Sequence, residues 1–266
     1  MVLAALTPEV AVSIPINPYE SPADPISTAV DDEVQRQGKF KPVHLWGSAA
    51  IVALTINVAL AIAALWFDGR LFAAYSGFAV ADNMDAEWVD GQLNRVNTVS
   101  ILMVCFRWLT AACVITWMYQ CHRNLTALGH GELDSKPIWV VLCWFVPLMN
   151  FFCPYQVMQE IWRRSDPDAI DAEPDPGTPL VTSWWLTWLA MIAAGTFANH
   201  IAKRQEAAWD HSDMIWWSGA EIFRSSLTIV SALLLIAIIV KLNRRQAQRS
   251  VTLTIQNSDS SPPQPL

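Results

Sequence analysis

The chain has 266 residues, of which 53% are apolar and only 15% charged, against about 25% charged in ordinary soluble domains. Its net charge is −7, and no stripe of lysine and arginine is available for a nucleic acid partner. The 14 tryptophans favour membrane–water interfaces, and the mean hydropathy is positive at +0.28. The composition therefore excludes an ordinary soluble protein and predicts an all-α integral membrane protein whose main partner is the lipid bilayer.

A membrane domain over residues 41–245 is predicted between two polar tails. Residues 1–40 contain prolines and scattered acids, which predicts a disordered tail, with a short partner-binding motif around residues 17–22 as the alternative. Residues 246–266 predict a second disordered tail. The membrane domain is predicted to hold a bundle of five embedded helical segments, four full spans and one segment broken by proline, at about 44–67, 99–119, 138–162, 183–200 and 222–242.

The first span, residues 44–67, is bracketed by Trp46 and Trp66 and has about the length that a hydrocarbon core of roughly 30 Å requires. Asn57 lies near its middle. We interpret Asn57 as a residue that hydrogen-bonds to a neighbouring helix. The acidic residues that follow, 68–96, predict a loop.

The second span, residues 99–119, contains Arg107. A charge at this depth costs at least about 2.5 kcal/mol, so Arg107 either finds a partner inside the protein or extends towards the nearer interface. Cys105, Cys113 and Cys121 recur along this helix, and we interpret them as small packing residues. The five cysteines of the chain are odd in number and lie in or beside the apolar segments, which argues against a disulfide framework.

Two polar loops flank the broken segment. In residues 120–137, Gly129 and Gly131 are expected to end the preceding helix. Histidines and acids also lie in this loop, but at no spacing typical of a metal site. Residues 163–182 are acidic and lack the pattern of a calcium loop, so we interpret them as solvated. The sequence predicts no metal, no cofactor and no catalytic motif.

The segment 138–162 is interrupted by Pro147 and Pro154. Since backbone inside a bilayer must satisfy its own hydrogen bonds, the break either packs within protein or lines a cavity. Polar residues lie at the break and directly after it: Asn150, Tyr155, Gln156, Gln159 and Glu160.

Two topologies are open for this segment. If it enters and leaves on one side, most lysines and arginines fall on that side, as the positive-inside rule requires, whereas a full crossing divides them almost evenly. Charge therefore favours a re-entrant hairpin, with Asn150 at its tip as the expected partner of Arg107. The length also permits one kinked crossing, because 25 residues span about 37 Å. We expect a location in the inner (plasma) membrane with the N-terminus in the cytoplasm.

The stretch from Trp117 to Trp162 resembles the bacterial membrane family catalogued as domain of unknown function 4328. The resemblance covers roughly residues 50–242 and implies a fold class and a membrane location, without an established activity. The residues that carry it are Trp117, Tyr119, Arg123, Asn124, Trp139, Trp144, Phe145, Pro147, Asn150, Pro154, Tyr155, Gln156, Glu160 and Trp162.

Three hypotheses for function follow. The first is a non-enzymatic membrane module that binds, senses or passes a small molecule, ion or lipid, because broken helices with polar groups at the midplane build many transporter sites. The helix count is low for a complete transporter, so transport requires a homo-oligomer. The second is a structural or assembly module without a ligand. The third, which we disfavour, is an enzyme that uses Glu160 with His122 or His130. The candidate polar cluster is Arg107, Arg123, Asn124, Asn150, Tyr155, Gln156 and Glu160.

Overall fold

The structure, a computed structural model, describes residues 40–77, 86–130, 133–167, 178–204 and 211–259. Within these ranges there are helices and no strands, which confirms the predicted all-helical class. Except for Phe40, the predicted N-terminal tail lies outside them. The elements are α1 His44–Tyr75, α2 Ala86–Ala127, α3 Pro137–Leu142, a 3-10 helix Met149–Phe151, α4 Cys153–Arg164, α5 Pro179–Arg204 and α6 His211–Asp259.

Four helices are long and apolar enough to cross a membrane, and they correspond to the four predicted full spans. Residues 138–162, predicted as a fifth embedded segment, are divided among α3, the 3-10 helix and α4 and do not form a further helix of this kind. The four candidate spans are His44–Tyr75, Glu87–Ala127, Pro179–Lys203 and Ser212–Gln256.

The long helices extend beyond the boundaries that the sequence predicts. Helix α2 begins at Ala86 rather than near residue 99, and α6 continues through 246–259, where the sequence predicts a disordered tail. The predicted boundaries follow the apolar pattern, but a helix satisfies its own backbone hydrogen bonds in water as well as in lipid. The extension of α6 is also held by tertiary contacts, because Gln246 and Arg249 are buried and hydrogen-bonded.

The long helices pack in the spatial order α2, α1, α6, α5. Helices α1 and α6 run antiparallel: Gly47 lies against Asn243 at one end, and Phe72 lies against Gly219 at the other. Helices α2 and α5 have little direct contact. The segment from α3 to α4 lies between them and contacts both.

Hydrophobic packing is concentrated at the end of the bundle where this segment lies. Trp117, Ile161, Trp184 and Ile238 are almost fully buried there, one each from α2, α4, α5 and α6. We call this the basic end, because α6 leaves it through Lys241, Arg244, Arg245 and Arg249. At the opposite end a much smaller apolar cluster joins α1 to α2.

Candidate functional site

The segment between α2 and α5 is a hairpin, which we define as residues 133–166. Pro147 and Pro154 carry no N–H, and the chain turns between them. Short-range hydrogen bonds satisfy the backbone through the turn: Phe145 N donates to Leu142 O at 3.0 Å, and Phe152 N donates to Met149 O at 3.0 Å. The backbone at the turn therefore needs little help from water.

The two ends of the hairpin meet at the basic end of the bundle. The backbone N–H of Asp134, before α3, donates to Glu160 Oε1 of α4 at 2.7 Å. Arg164 Nη2 lies 2.8 Å from Asp134 Oδ1, and His130 Nε2 lies 2.8 Å from the carbonyl oxygen of Arg164. The chain consequently enters and leaves the hairpin at one place.

Glu160 is the central residue of this hairpin base. Its side chain is buried, and Arg164 Nε lies 3.4 Å from Oε1. His122 of α2 is fully buried with Nε2 at 3.7 Å from Oε2, beyond hydrogen-bond distance. Burial raises the pKa of Glu160, but the His122 ring and the Asp134 N–H outweigh this effect and lower the pKa below its ordinary value. Glu160 is therefore held as a carboxylate that joins both ends of the hairpin and lies beside His122 of α2.

Polar side chains of α4 attach the hairpin to α5. Tyr155 Oη lies 3.1 Å from Thr182 Oγ1, and its ring stacks on Trp185 with centroids 6.3 Å apart. Gln159 Nε2 donates to Tyr155 Oη at 3.2 Å. Gln156, on the other side of α4, is exposed. These contacts fix the hairpin within the bundle.

Asn124, near the end of α2, also joins separate elements of the fold through hydrogen bonds. Its Nδ2 donates to Lys41 O at 2.8 Å, and its Oδ1 accepts from Lys41 N at 3.2 Å, which holds the chain before α1. Asn124 Nδ2 also lies 3.3 Å from Gln246 Oε1 of α6. Arg123 is exposed, with its guanidinium 5.7 Å from the centroid of the Tyr119 ring.

A cavity of about 140 Å³ lies among all four long helices, with Trp144 of the hairpin in its wall. At about 1.5 Å per residue, Arg107 and Asn57 lie roughly 15 Å from the level at which Gly47 meets Trp117, which is near the middle of a bilayer-sized bundle. The lining residues are Leu54, Asn57, Arg107, Thr110, Ala111, Val114, Trp144, Trp184, Trp188, Met191, Thr228, Ser231, Ala232 and Leu235.

The polar lining of this cavity is rich in donors and contains no carboxylate. Asn57 Nδ2 donates to Thr110 Oγ1 at 2.7 Å, which confirms the predicted hydrogen bond between helices. The indole N–H of Trp144 is buried and has no acceptor among the described residues. Arg107 is exposed at the surface of α2 where it borders the cavity, and its guanidinium makes no hydrogen bond or ion pair within the described part of the chain.

The sequence model of one protein family, a domain of unknown function (DUF4328), matches residues 81–244. This match covers more than half of the chain and includes the hairpin and three of the four helices that line the cavity. The chain belongs to the DUF4328 family. No curated protein and no solved structure is detectably similar to it.

In this DUF4328 chain the seven predicted site residues do not form one cluster. Glu160 lies at the hairpin base, Tyr155 and Asn124 join elements of the fold, and Arg107 alone lines the cavity. Asn150, expected as the partner of Arg107 in a re-entrant hairpin, is half-buried in the 3-10 helix with an unpartnered Oδ1 and is not among the residues that line the cavity. Arg123 and Gln156 are exposed, as described above.

Sequence reasoning missed most of the polar cavity wall of the DUF4328 chain. Thr228 and Ser231 are three residues apart on α6, a spacing that places both on one helix face. That spacing within an apolar helix was the available signal. For Trp144 the sequence offered no signal that separates a cavity wall from an interface anchor.

Proposed function

We propose that this DUF4328 protein is a multi-pass membrane protein that binds a small anionic group, carried on an apolar body, at Arg107. It would act as a binding or sensing module of the inner membrane, with the basic end and the N-terminus in the cytoplasm. A homo-oligomer would be needed if the ligand is also passed across the membrane. The hairpin would enter from the cytoplasmic side and return there.

Three features support this topology. The ends of the hairpin are joined to each other through Asp134, Glu160 and Arg164, which suits a segment that does not cross. Lys241, Arg244 and Arg245 of α6 lie at the same end of the bundle as Arg164 of the hairpin base, and the positive-inside rule assigns this end to the cytoplasm. The large apolar side chains of the hairpin tip are exposed, Leu148 at 79% and Phe152 at 68%, as expected of a tip immersed in lipid.

The observation that carries the proposal is the unpaired guanidinium of Arg107 at membrane depth. An arginine inside a bilayer is costly unless it pairs, and such residues mark functional sites by default. The wall around Arg107 offers the Trp144 N–H as a second unused donor and no carboxylate as a competitor. A donor set of this kind is complementary to carboxylate, sulfonate or phosphate oxygens.

The shape of the site indicates an amphiphile. A volume of about 140 Å³ accommodates an anionic head but little more. Trp184, Trp188 and Met191 give the cavity an apolar wall on the α5 side. Arg107 is exposed at the surface of α2, so the cavity can open there towards lipid, where the apolar body would remain.

The test is equilibrium binding of a pyrene-labelled alkyl sulfonate to the protein in phosphatidylcholine nanodiscs. Arg107→Gln should weaken binding by about 10- to 100-fold, because a hydrogen bond to a charged group contributes about 1.5–3 kcal/mol. The matched control is Arg95→Gln, which removes an exposed arginine of the same helix and should leave affinity unchanged. Equal binding by Arg107→Gln and the unmodified protein would refute the proposal.

A structural or assembly module without a ligand is the second candidate. It is favoured by the hairpin polar groups, because Tyr155, Gln159 and Glu160 all have partners within the protein. Those groups then only hold neighbouring helices together through hydrogen bonds. An unmodified protein that binds no sulfonate, carboxylate or phosphate probe saturably would support this candidate instead.

A further inference from the structure

Besides the hairpin base, a further cluster of buried charged residues lies between the level of Arg107 and the end of the bundle opposite the basic end. Asp68 of α1 is only 2% exposed, and its Oδ1 has no hydrogen-bond partner among the described residues. On α6, Arg224 Nε donates to Glu221 Oε2 at 2.7 Å. Because Phe72 lies against Gly219 and α1 and α6 run antiparallel, Asp68, one helical turn before Phe72, lies at the level of Glu221 and Arg224. The cluster thus contains two carboxyl groups and one guanidinium in a low-dielectric setting.

Few other charges act on Asp68. From α6 the charged groups that face it are Glu221 and Arg224. On α2, Glu87, Asp90 and Arg95 are all exposed at the helix surface. On α1 itself, the Arg70 guanidinium lies over the Trp88 ring, 5.7 Å from its centroid. Arg224 is committed to Glu221, so the described chain supplies no second cation for an ionised Asp68.

We propose that Asp68 is a proton-binding site inside the membrane domain and that its protonation favours anion binding at Arg107. An isolated buried carboxylate is far more costly than the neutral acid, so a proton takes the place of the missing cation. The coupling part of this inference rests on the proposed function of the Arg107 cavity.

The coupling follows from charge balance along the interior. Arg107 shares the cavity wall with Thr228, which lies one helical turn from Arg224, and Arg224 and Glu221 lie at the level of Asp68. With Asp68 protonated, Glu221 and Arg224 cancel each other, and the charge of Arg107 remains available to an anion. With Asp68 ionised, the cluster carries a net negative charge that opposes the anion. Linkage is reciprocal, so binding of the anion should draw a proton onto the protein.

The alkyl sulfonate probe tests this coupling because its own charge is constant with pH. In the unmodified protein, affinity should rise at least about fivefold from mildly alkaline to mildly acidic pH, the lower limit of typical coupling between sites. In Asp68→Asn, affinity should stay at the high, acidic value at every pH. Asp90→Asn removes an exposed carboxyl at the same end and should keep the pH dependence of the unmodified protein.

Infrared spectroscopy tests the proton directly and without any ligand. The unmodified protein at neutral pH should show the carbonyl band of a buried, protonated carboxyl group, and Asp68→Asn should lack it. Should Asp68→Asn fail to fold, Glu221→Gln serves instead: it frees Arg224 to pair with Asp68, so the band should disappear at neutral pH.

The outcomes separate the two proposals. Binding that depends on Arg107 but not on pH would overturn the coupling and leave the proposed function in place. Absence of any binding would overturn both the proposed function and the coupling. An unmodified protein whose infrared band is absent at neutral pH would overturn the assignment of Asp68 as a proton site, whatever the probe does.

Discussion

Replacement of Glu160 by glutamine should loosen the base of the hairpin. The change keeps an acceptor for the Asp134 N–H, which lies 2.7 Å from Oε1, but removes the negative charge. A hydrogen bond to a charged acceptor contributes about 1 kcal/mol more than a neutral one. The lost ion pair with Arg164, which is partly exposed, adds about 0.5–1 kcal/mol. The opening free energy should therefore fall by about 2 kcal/mol, and by more in Glu160→Ala, which also leaves the N–H unpaired.

Thiol labelling of Cys143 measures this opening. Cys143 is fully buried just after α3, on the arm of the hairpin that Glu160 holds. In a background with the other four cysteines replaced by alanine, a loss of 2 kcal/mol predicts labelling roughly 30-fold faster. Gln156→Ala, at an exposed position of the same helix, is the control and should label at the background rate. Equal labelling rates for Glu160→Gln and the background would show that the charge of Glu160 does not hold the base of the hairpin closed.

Two further predictions concern the basic end. Because the pKa of Glu160 is lowered in the fold, its contribution to stability is complete above its ordinary value of 4.5 and is lost as the pH falls through the lowered pKa. The melting temperature, followed by tryptophan fluorescence, should drop on such acidification, and Glu160→Gln should show a smaller drop; equal drops would contradict this. Gly47→Leu should lower the melting temperature, because even a Cβ at Gly47 would lie 2.5 Å from Asn243 Nδ2. The control Gly69→Ala adds a methyl group in open space on α1 and should leave the melting temperature unchanged. A Gly47→Leu protein as stable as Gly69→Ala would show that α1 and α6 are not so closely packed.

The apolar pattern was sufficient to predict the four long helices, because a stretch that must remain in lipid has few alternatives to a helix. It was insufficient for their ends. Residues 246–259 are polar enough to be read as a tail, yet Gln246 donates to Cys121 O and Arg249 to Leu128 O across the bundle. Such contacts depend on which helices are neighbours, and one sequence does not reveal this.

The candidate site was only partly predictable from the sequence. Arg107 stood out because a charge within an apolar span is rare. Glu160 stood out too, but in the fold it joins the two ends of the hairpin rather than lining a cavity. The residues that line the cavity with Arg107 come largely from α1, α5, α6 and the hairpin, and their convergence results from packing at long sequence separation. Trp144, rather than Asn150, reaches the cavity because the chain turns before the 3-10 helix.

In the proposed topology, four helices cross the membrane and the hairpin enters and leaves on the same side. Compartment-sensitive reporters fused before Met1 and after Leu266 test this claim directly. Both reporters should indicate the cytoplasm, since four crossings return the chain to its starting side. A C-terminal reporter on the outside, with the N-terminal reporter in the cytoplasm, would contradict this topology, because the hairpin segment would then cross the membrane.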